Sequence, residues 1–392
     1  MYIKVYKEDI IEGLQKAASI IPSKSGAAYL RSIWIKTGEG KVEILATDSS
    51  IEFKGAYTSE IVNEGLVGVQ GRTFVDLMRQ LPADQQITLR LEEESNNLLI
   101  EQGKRKYKLP ANDAVWFQTF SEFPESAEPG SVIWAGDYIK EVIDRVSYCI
   151  SDDDAMDAIA CLSLKPTSDG GIEACGLNGH QFAMVKFMHD DLHAMLPADG
   201  ILIQKKYLNE LKKWLDDNEI ELGMGDKRLF FRSSAKNETF SLPLSSYQFP
   251  EYYNFLSKLD GEDVAKLNID RAECAGALER LSLFTSDGHR CIFFDFSSAS
   301  SGEVVLYSTG QGTGSATEIL NGEFNGSLDK ISFPSRNLIE MLAHFQSGKL
   351  RLIMSGSEAP CGILGDDDPE YTVIIMPMKI VSNTYYSEES VE

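Results

Sequence analysis

The residues of this chain that could do chemistry are few. They are a histidine in Leu177-Asn178-Gly179-His180-Gln181-Phe182, two triple-aspartate runs and one glycine-rich stretch. His180 could act as a general base, but no motif marks a nucleophile or an orienting carboxylate to work with it. Asp152-Asp153-Asp154 and Asp366-Asp367-Asp368 could suggest a metal. Consecutive aspartates point in different directions, however, so both runs read as solvated loops. Of the five histidines only His189 and His193 stand four apart, without the following glutamate or a cysteine pair, so they give no zinc pattern. The stretch Gly310-Gln311-Gly312-Thr313-Gly314-Ser315 lacks both the spacing and the following helix of a dinucleotide site and reads as a turn. A phosphate-binding P-loop is absent. Cys149, Cys161, Cys175, Cys274, Cys291 and Cys361 form no C-x-x-C pair and sit mostly in apolar runs. They read as buried, reduced thiols. The sequence therefore calls for no metal, no cofactor and no catalytic residue.

The elements that would position any site are more informative. At 392 residues the chain exceeds one hydrophobic core and predicts two to four domains. It holds 43% hydrophobic and 25% charged residues, with no apolar run long enough to span a bilayer. The N-terminal MYIKVYKEDII reads as a strand and then a helix, without the apolar core of a signal peptide, so a cytoplasmic location is expected.

Four landmarks recur three times in the same order. First comes an amphipathic helix, with apolar faces at Ile10, Ile11, Leu14, Ala17 and Ala18, then at Ile139, Val142, Ile143, Val146, Cys149 and Ile150, then at Cys274, Ala275, Leu278 and Leu281. Next is a strand ending in a polar turn, at 42–50, 172–180 and 304–312. A second helix follows, at 71–82, 204–217 and 334–346. In it Met78, Leu211 and Leu342 align at offsets of 133 and 131. Last comes a closing strand, whose Pro110, Pro243 and Pro377 align at offsets of 133 and 134. The polar stretches 121–131 and 258–266 have linker composition. Three similar α+β domains are thus expected, at 1–125, 126–258 and 259–380, followed by an acidic tail, 381–392.

The formal net charge of −23 argues against a nucleic-acid binder unless position overrides it. A basic bias shared among the repeated helices would do so, the alternative being an ordinary solvated helix face. The polar faces of the second-type helices carry Arg72, Arg79, Lys205, Lys206, Lys212, Lys213, Arg336 and His344. The first-type helices add Lys16, Lys140, Arg145, Arg271 and Arg280. With these helices inside a closed ring and the sheets outside, an acidic protein would present a basic inner wall. Such a wall contacts phosphates only and reads no sequence.

The threefold repeat, the central LNGHQF (177–182) and the C-terminal VIIMPMKI (373–380) together resemble the bacterial DNA polymerase III β sliding clamp. The resemblance covers residues 1–380. It implies an α+β fold of three clamp domains, with helices lining a central hole and antiparallel sheets outside, two chains closing head to tail into a homodimeric ring. It also implies a non-catalytic processivity factor, nucleoid-associated, that encircles duplex DNA without sequence preference. Its partners would be the replicative polymerase, the clamp loader, repair polymerases and ligase, held through short peptides of the Gln-Leu-x-Leu-Phe type.

The family's peptide groove maps to Ile159, Leu177, Gly179, His180, Gln181 and Phe182, to Pro250 and Phe255, and to Ile374, Ile375, Met376, Pro377 and Met378. Gln181 and Asn254 stand where arginine is common in the family, and Leu177 where threonine is. The resemblance places Lys24 against DNA, and Arg72, Arg79, Arg145, Lys205 and Lys206 are the candidates on the helices. It places Phe74, Lys104, Lys106 and Tyr107 of one chain against Leu283, Phe284 and Glu318 of the next. The tail is expected to be disordered and to compete with peptides for the groove. The alternatives are a hydrolase or metal enzyme built on His180 and the aspartates, and a peptide-binding scaffold without DNA.

Overall fold

The computed structural model describes residues 1–22, 27–92, 94–125, 132–153, 157–261, 263–285, 291–299, 302–310 and 314–379. The helices are α1 (Lys7–Ile20), α2 (Gly71–Gln80), α3 (Gly136–Ser147), α4 (Asp190–Met195), α5 (Lys205–Trp214), α6 (Tyr253–Leu256), α7 (Arg271–Ser282) and α8 (Ser335–Ala343). Three times over, a short strand leads into a long helix (α1, α3, α7). A group of strands and a second helix (α2, α5, α8) follow, then three more strands.

Local chemistry explains why these helices begin where they do. The Gln70 side chain accepts from the Thr73 N–H at 2.7 Å, and the Asp270 carboxylate accepts from the Glu273 N–H at 2.9 Å. Each satisfies an N–H that the first turn leaves without a partner. The buried faces follow the helical period. They are Ile10, Leu14, Ala17 and Ile20 on α1, Phe74, Val75 and Met78 on α2, and Tyr207, Leu208, Leu211 and Trp214 on α5. Each large side chain so buried contributes about 2 kcal/mol. On α7, Ala277 is buried beside Cys274, Leu278 and Leu281, while Ala275 is half-buried.

Strand pairing continues across the stretches of linker composition. The chain divides into two compact units, one of Met1–Ile143 with His189–Ser246, the other of Asp144–Met188 with Tyr247–Glu392. In the first unit, thirteen described strands form one sheet. It runs from Val132–Ala135 through Glu219–Met224 and Arg228–Ser233 to Glu238–Pro243, which pairs antiparallel with Glu52–Thr58 and sets Phe240 opposite Phe53. In the second unit, Cys161–Pro166, Gly171–Leu177 and Gln181–Met188 continue into Asp368–Ile375, with Phe182 opposite Ile374. The strands of the middle repeat are therefore shared out between the other two. Pairing across repeats occupies edges that would otherwise expose open N–H and C=O groups.

One buried carboxylate secures the join in the first unit. Glu238 is 6% exposed; it accepts from the Tyr57 hydroxyl at 2.7 Å and pairs with Lys16 of α1 at 2.7 Å. Gly13 is required opposite, because a Cβ there would fall 2.0 Å from the Tyr57 hydroxyl oxygen. Tyr57→Phe removes one charge-assisted hydrogen bond and keeps the ring, so a loss of about 1.5 kcal/mol is expected. Urea unfolding followed by tryptophan emission reads it, since Trp34, Trp116, Trp134 and Trp214 all lie in this unit. An unchanged midpoint would show that the hydroxyl contributes nothing.

Candidate functional site

The two motifs singled out in the sequence meet in the second unit. Asn178 builds the turn between Gly171–Leu177 and Gln181–Met188. Its Oδ1 accepts from the N–H groups of His180 (3.0 Å) and Gln181 (2.8 Å), and its own N–H donates to the Gln181 carbonyl at 3.1 Å. Gly179 sits at φ +87°, a left-handed conformation that a side chain would strain. The turn leaves His180 exposed and turns its carbonyl toward the C-terminal strand, where it accepts from the Met376 N–H at 2.9 Å. Two residues on, the Met378 N–H donates to the Ser332 carbonyl, and the Ser332 hydroxyl donates to the Met378 carbonyl, both at 2.8 Å. The Met376-Pro377-Met378 segment is thus held by backbone on both sides, with its side chains left for other contacts.

Beneath it lies one apolar cluster. Phe182, Ile374, Tyr252 and Cys175 are buried in it; Leu177, Phe255 and Met184 pack on it half-buried. Phe182 meets Phe255 edge-on at 5.4 Å and Tyr252 at a tilt at 5.2 Å. Gly179, His180, Pro250 and Met378 are exposed around it, with Met376 and Pro377 half-buried. Ile375 is wholly buried and, as the strand neighbour of Ile374, faces the other side of the sheet. Ile159 is 8% exposed and bonds by its carbonyl to the Ser151 N–H at 3.0 Å. Gln181 is buried, its amide oxygen accepting from Asn178 at 2.8 Å and its Nε2 left without a hydrogen-bond partner. The result is an apolar surface with a flexible thioether rim, suited to leucine and aromatic anchors.

Of the aspartate runs read as solvated loops, the described Asp152, Asp153, Asp366 and Asp367 are exposed, and Asp368 alone departs from that reading. Asp368 is 2% exposed. Its carboxylate accepts from the Ser347 N–H and hydroxyl (both 2.7 Å) and pairs with Arg145 at 3.0 Å. Its neighbour Asp366 pairs with Arg351 at 3.3 Å. Asp154 lies outside the described residues. Among the described residues, no three His, Cys, Asp or Glu side chains are grouped to hold a metal. All six cysteines are reduced thiols, five buried and Cys291 half-buried, and burial pushes the Cys274 thiol up to about 12. A polar cleft of about 430 Å³ elsewhere in the unit is lined by Asp270, Glu323, Lys349, Arg351 and Asp366 among others; of the motif residues it takes only Asp366.

The basic residues also part company. In the first unit α1 packs against both α2 and α5, and Arg72, Arg79 and Lys206 are exposed on those neighbours. Lys205 is half-buried beside them. Arg145 is not part of an open basic face. Its side chain is 12% exposed, paired with Asp368 and set over the Tyr371 ring at 5.2 Å. Of the other helix cations in the second unit, Arg271 donates to the Ser347 carbonyl at 2.9 Å and Arg280 pairs with Glu318 at 2.6 Å. Lys24 lies outside the described residues, as does the tail.

Of the expected interface residues, Lys104 and Leu283 are exposed, Leu283 at 75%. Lys106 is exposed and paired with Glu101 at 2.8 Å, and Tyr107 and Phe284 are half-buried. Phe74 is 0% exposed. It belongs to the core stripe of α2 with Val75 and Met78, and offers no surface to a second chain.

These features define a class: a thrice-repeated α+β protein whose candidate sites are an apolar patch and basic helix faces. Comparison with known proteins places it within that class. Residues 1–121 match the N-terminal domain of the DNA polymerase III beta subunit, and residues 261–379 match its C-terminal domain. The Pseudomonas aeruginosa beta sliding clamp is 24% identical over 387 residues, spanning 97% of this chain and all of the relative. The Bacillus subtilis beta sliding clamp is 21% identical over 394 residues, with the same coverage. Among solved structures, the Pseudomonas aeruginosa DNA polymerase III subunit beta superposes with TM-score 0.87 at 22% identity, over 97% of this chain and all of that one. The Caulobacter crescentus pol III beta superposes with TM-score 0.88 at 17% identity and the same coverage. The chain belongs to the DNA polymerase III beta subunit family, the beta sliding clamps.

Proposed function

We infer that this clamp confers processivity by encircling duplex DNA as a head-to-tail pair of chains, while its apolar patch tethers polymerase, loader and repair proteins by short peptides. The observation that carries this reading is the end-to-end match of a thrice-repeated fold to beta sliding clamps. The exposed Arg72, Arg79 and Lys206 on adjoining helices support it. They offer phosphate contacts in a chain of net charge −23. The peptide surface comprises Leu177, Gly179, His180, Phe182, Pro250, Phe255, Ile374, Met376, Pro377 and Met378; Ile159, Gln181 and Ile375, also expected there, are buried. Leu283, Phe284, Glu318, Lys104, Lys106 and Tyr107 are the interface candidates that retain exposed or half-exposed surface, Glu318 in its pair with Arg280. The protein hydrolyses nothing itself and works on the nucleoid in the cytoplasm. No described helix is long and apolar enough to cross a membrane.

Retention on circular DNA tests this. Loaded onto a nicked circle, the clamp is expected to remain through a rise in salt and to be lost once the circle is cut. A side-on binder making several phosphate contacts loses roughly a thousandfold in affinity over a fewfold rise in salt. A linked ring does not depend on that affinity. Equal retention on cut and uncut circles, or peptide binding with retention on neither, would sink the ring.

A further inference from the structure

One wall of the peptide surface comes from a connecting segment. Residues 250–256 hold a single helical turn, α6, with backbone bonds from Phe255 and Leu256 back to Tyr252. So short a piece does not set its own position against a sheet. Two adjacent tyrosines do that. The Tyr252 and Tyr253 hydroxyls both donate to Oε2 of Glu173, the second at 2.7 Å.

Glu173 is 5% exposed, in the strand that leads into the Asn178 turn. Lys186, its cross-strand neighbour, is committed to Asp169 at 2.7 Å. A carboxylate is costly to bury there unless hydrogen bonds compensate it, and these two hydroxyls provide them. From the hydroxyl inward, the Tyr252 ring packs on Phe182 at 5.2 Å and on Phe249 at 6.1 Å, and Phe182 meets Phe255. A continuous path thus runs from a buried carboxylate to the floor and wall of the patch. Burial, with the Glu173 charge beside it, pushes the Tyr253 hydroxyl up to about 12 and holds that of Tyr252 higher, so both remain donors at any working pH.

We propose that Glu173 is a positioning residue for the peptide surface. By gathering Tyr252 and Tyr253 onto one oxygen, it holds the 250–256 wall against Phe182 before any peptide arrives. The peptide need not touch it. Ordering the wall in advance removes a cost that binding would otherwise bear. This inference rests on the peptide reading of the patch, and its test separates the two.

The probe is a fluorescent peptide containing Gln-Leu-Ser-Leu-Phe, titrated by anisotropy against the full-length clamp. Glu173→Ala is expected to weaken binding about five- to tenfold. Glu173→Gln, whose amide oxygen still accepts, should lose less than threefold, and Tyr253→Phe, which removes one bond, about two- to threefold. Hydrogen exchange supplies the second readout. In Glu173→Ala the amides of 253–257 should exchange faster while those of Gln181–Met188 keep wild-type protection. Wild-type peptide affinity in Glu173→Ala, or exchange that quickens equally in strand and wall, overturns the positioning role. If the unmodified clamp does not bind the peptide, the peptide reading fails. The exchange pattern then still decides whether Glu173 holds the segment.

Discussion

Asp368→Ala is expected to destabilise the unit containing Asp144–Met188 and Tyr247–Glu392 by about 3–5 kcal/mol, the usual cost of stranding a buried charge. The carboxylate is the centre of a network. It accepts from Ser347 twice and from the Gln346 N–H at 2.9 Å, and it pairs with Arg145, whose guanidinium is nearly as buried. Arg145 is bound again through its carbonyl, which accepts from the Tyr371 hydroxyl at 2.8 Å. That hydroxyl meets Tyr148 at 2.8 Å, and the Tyr148 ring stacks on His344 at 4.4 Å. Removing the carboxylate takes the Asp368 charge from the Arg145 guanidinium and the acceptor from the Ser347 and Gln346 N–H groups.

The pH dependence has a definite sign. Burial acts to raise the Asp368 carboxyl, but the Ser347 hydroxyl and N–H, the Arg145 charge and the Gln346 N–H outweigh it and hold the carboxyl below its usual value. A folded-state value below the unfolded one, about 3.9, contributes stability that is fully present above that pH and is lost as pH falls through the folded value. The stability gap between the native chain and Asp368→Asn should therefore be constant near neutrality and shrink below about pH 4. Because all four tryptophans lie in the other unit, far-ultraviolet circular dichroism is the readout. A gap that persists unchanged to pH 2 would remove Asp368 from the account.

Arg145 also shows where sequence reading stops. A basic residue on the polar face of an amphipathic helix looks the same whether it meets phosphate or a buried aspartate 223 positions away. Only the fold distinguishes them. Phe74 could have been placed correctly, because Phe74, Val75 and Met78 share the helical stripe that marks a core face. The recurring element order was legible because each landmark is local: an apolar period, a turn residue, a Leu-Pro or Met-Pro step. The pairing of Glu238–Pro243 with Glu52–Thr58 was not, because an edge strand carries no mark of which partner it will find. The Asn178 turn and Met376–Met378 were legible as motifs, since Gly179 and the prolines constrain backbone directly. Glu173 was not, because a lone glutamate in an apolar strand gives no sign that two tyrosines some eighty residues later will converge on it.

The largest functional effect is expected at Phe255. Its ring is half-buried and edge-on to Phe182 in the 250–256 wall, where Tyr253 is also exposed but is tied by its hydroxyl to Glu173. Partly open aromatic groups over a buried apolar floor are where truncation costs a binding surface most, about 2–3 kcal/mol. Phe255→Ala should therefore weaken the labelled peptide roughly 30- to 150-fold. Phe255→Leu keeps most of the apolar volume and should lose roughly tenfold or less. The same substitution reaches none of Arg72, Arg79 or Lys206, so retention on nicked circular DNA should not change. The distinction from Glu173 is mechanistic. Losing Phe255 removes a surface the peptide covers, so its effect should vary with the aromatic residue of the probe. Losing Glu173 frees the wall, so it should weaken every peptide by a similar factor. If Phe255→Ala binds within threefold of the native clamp, the peptide is held elsewhere, and the apolar cluster around Phe182 is core and nothing more.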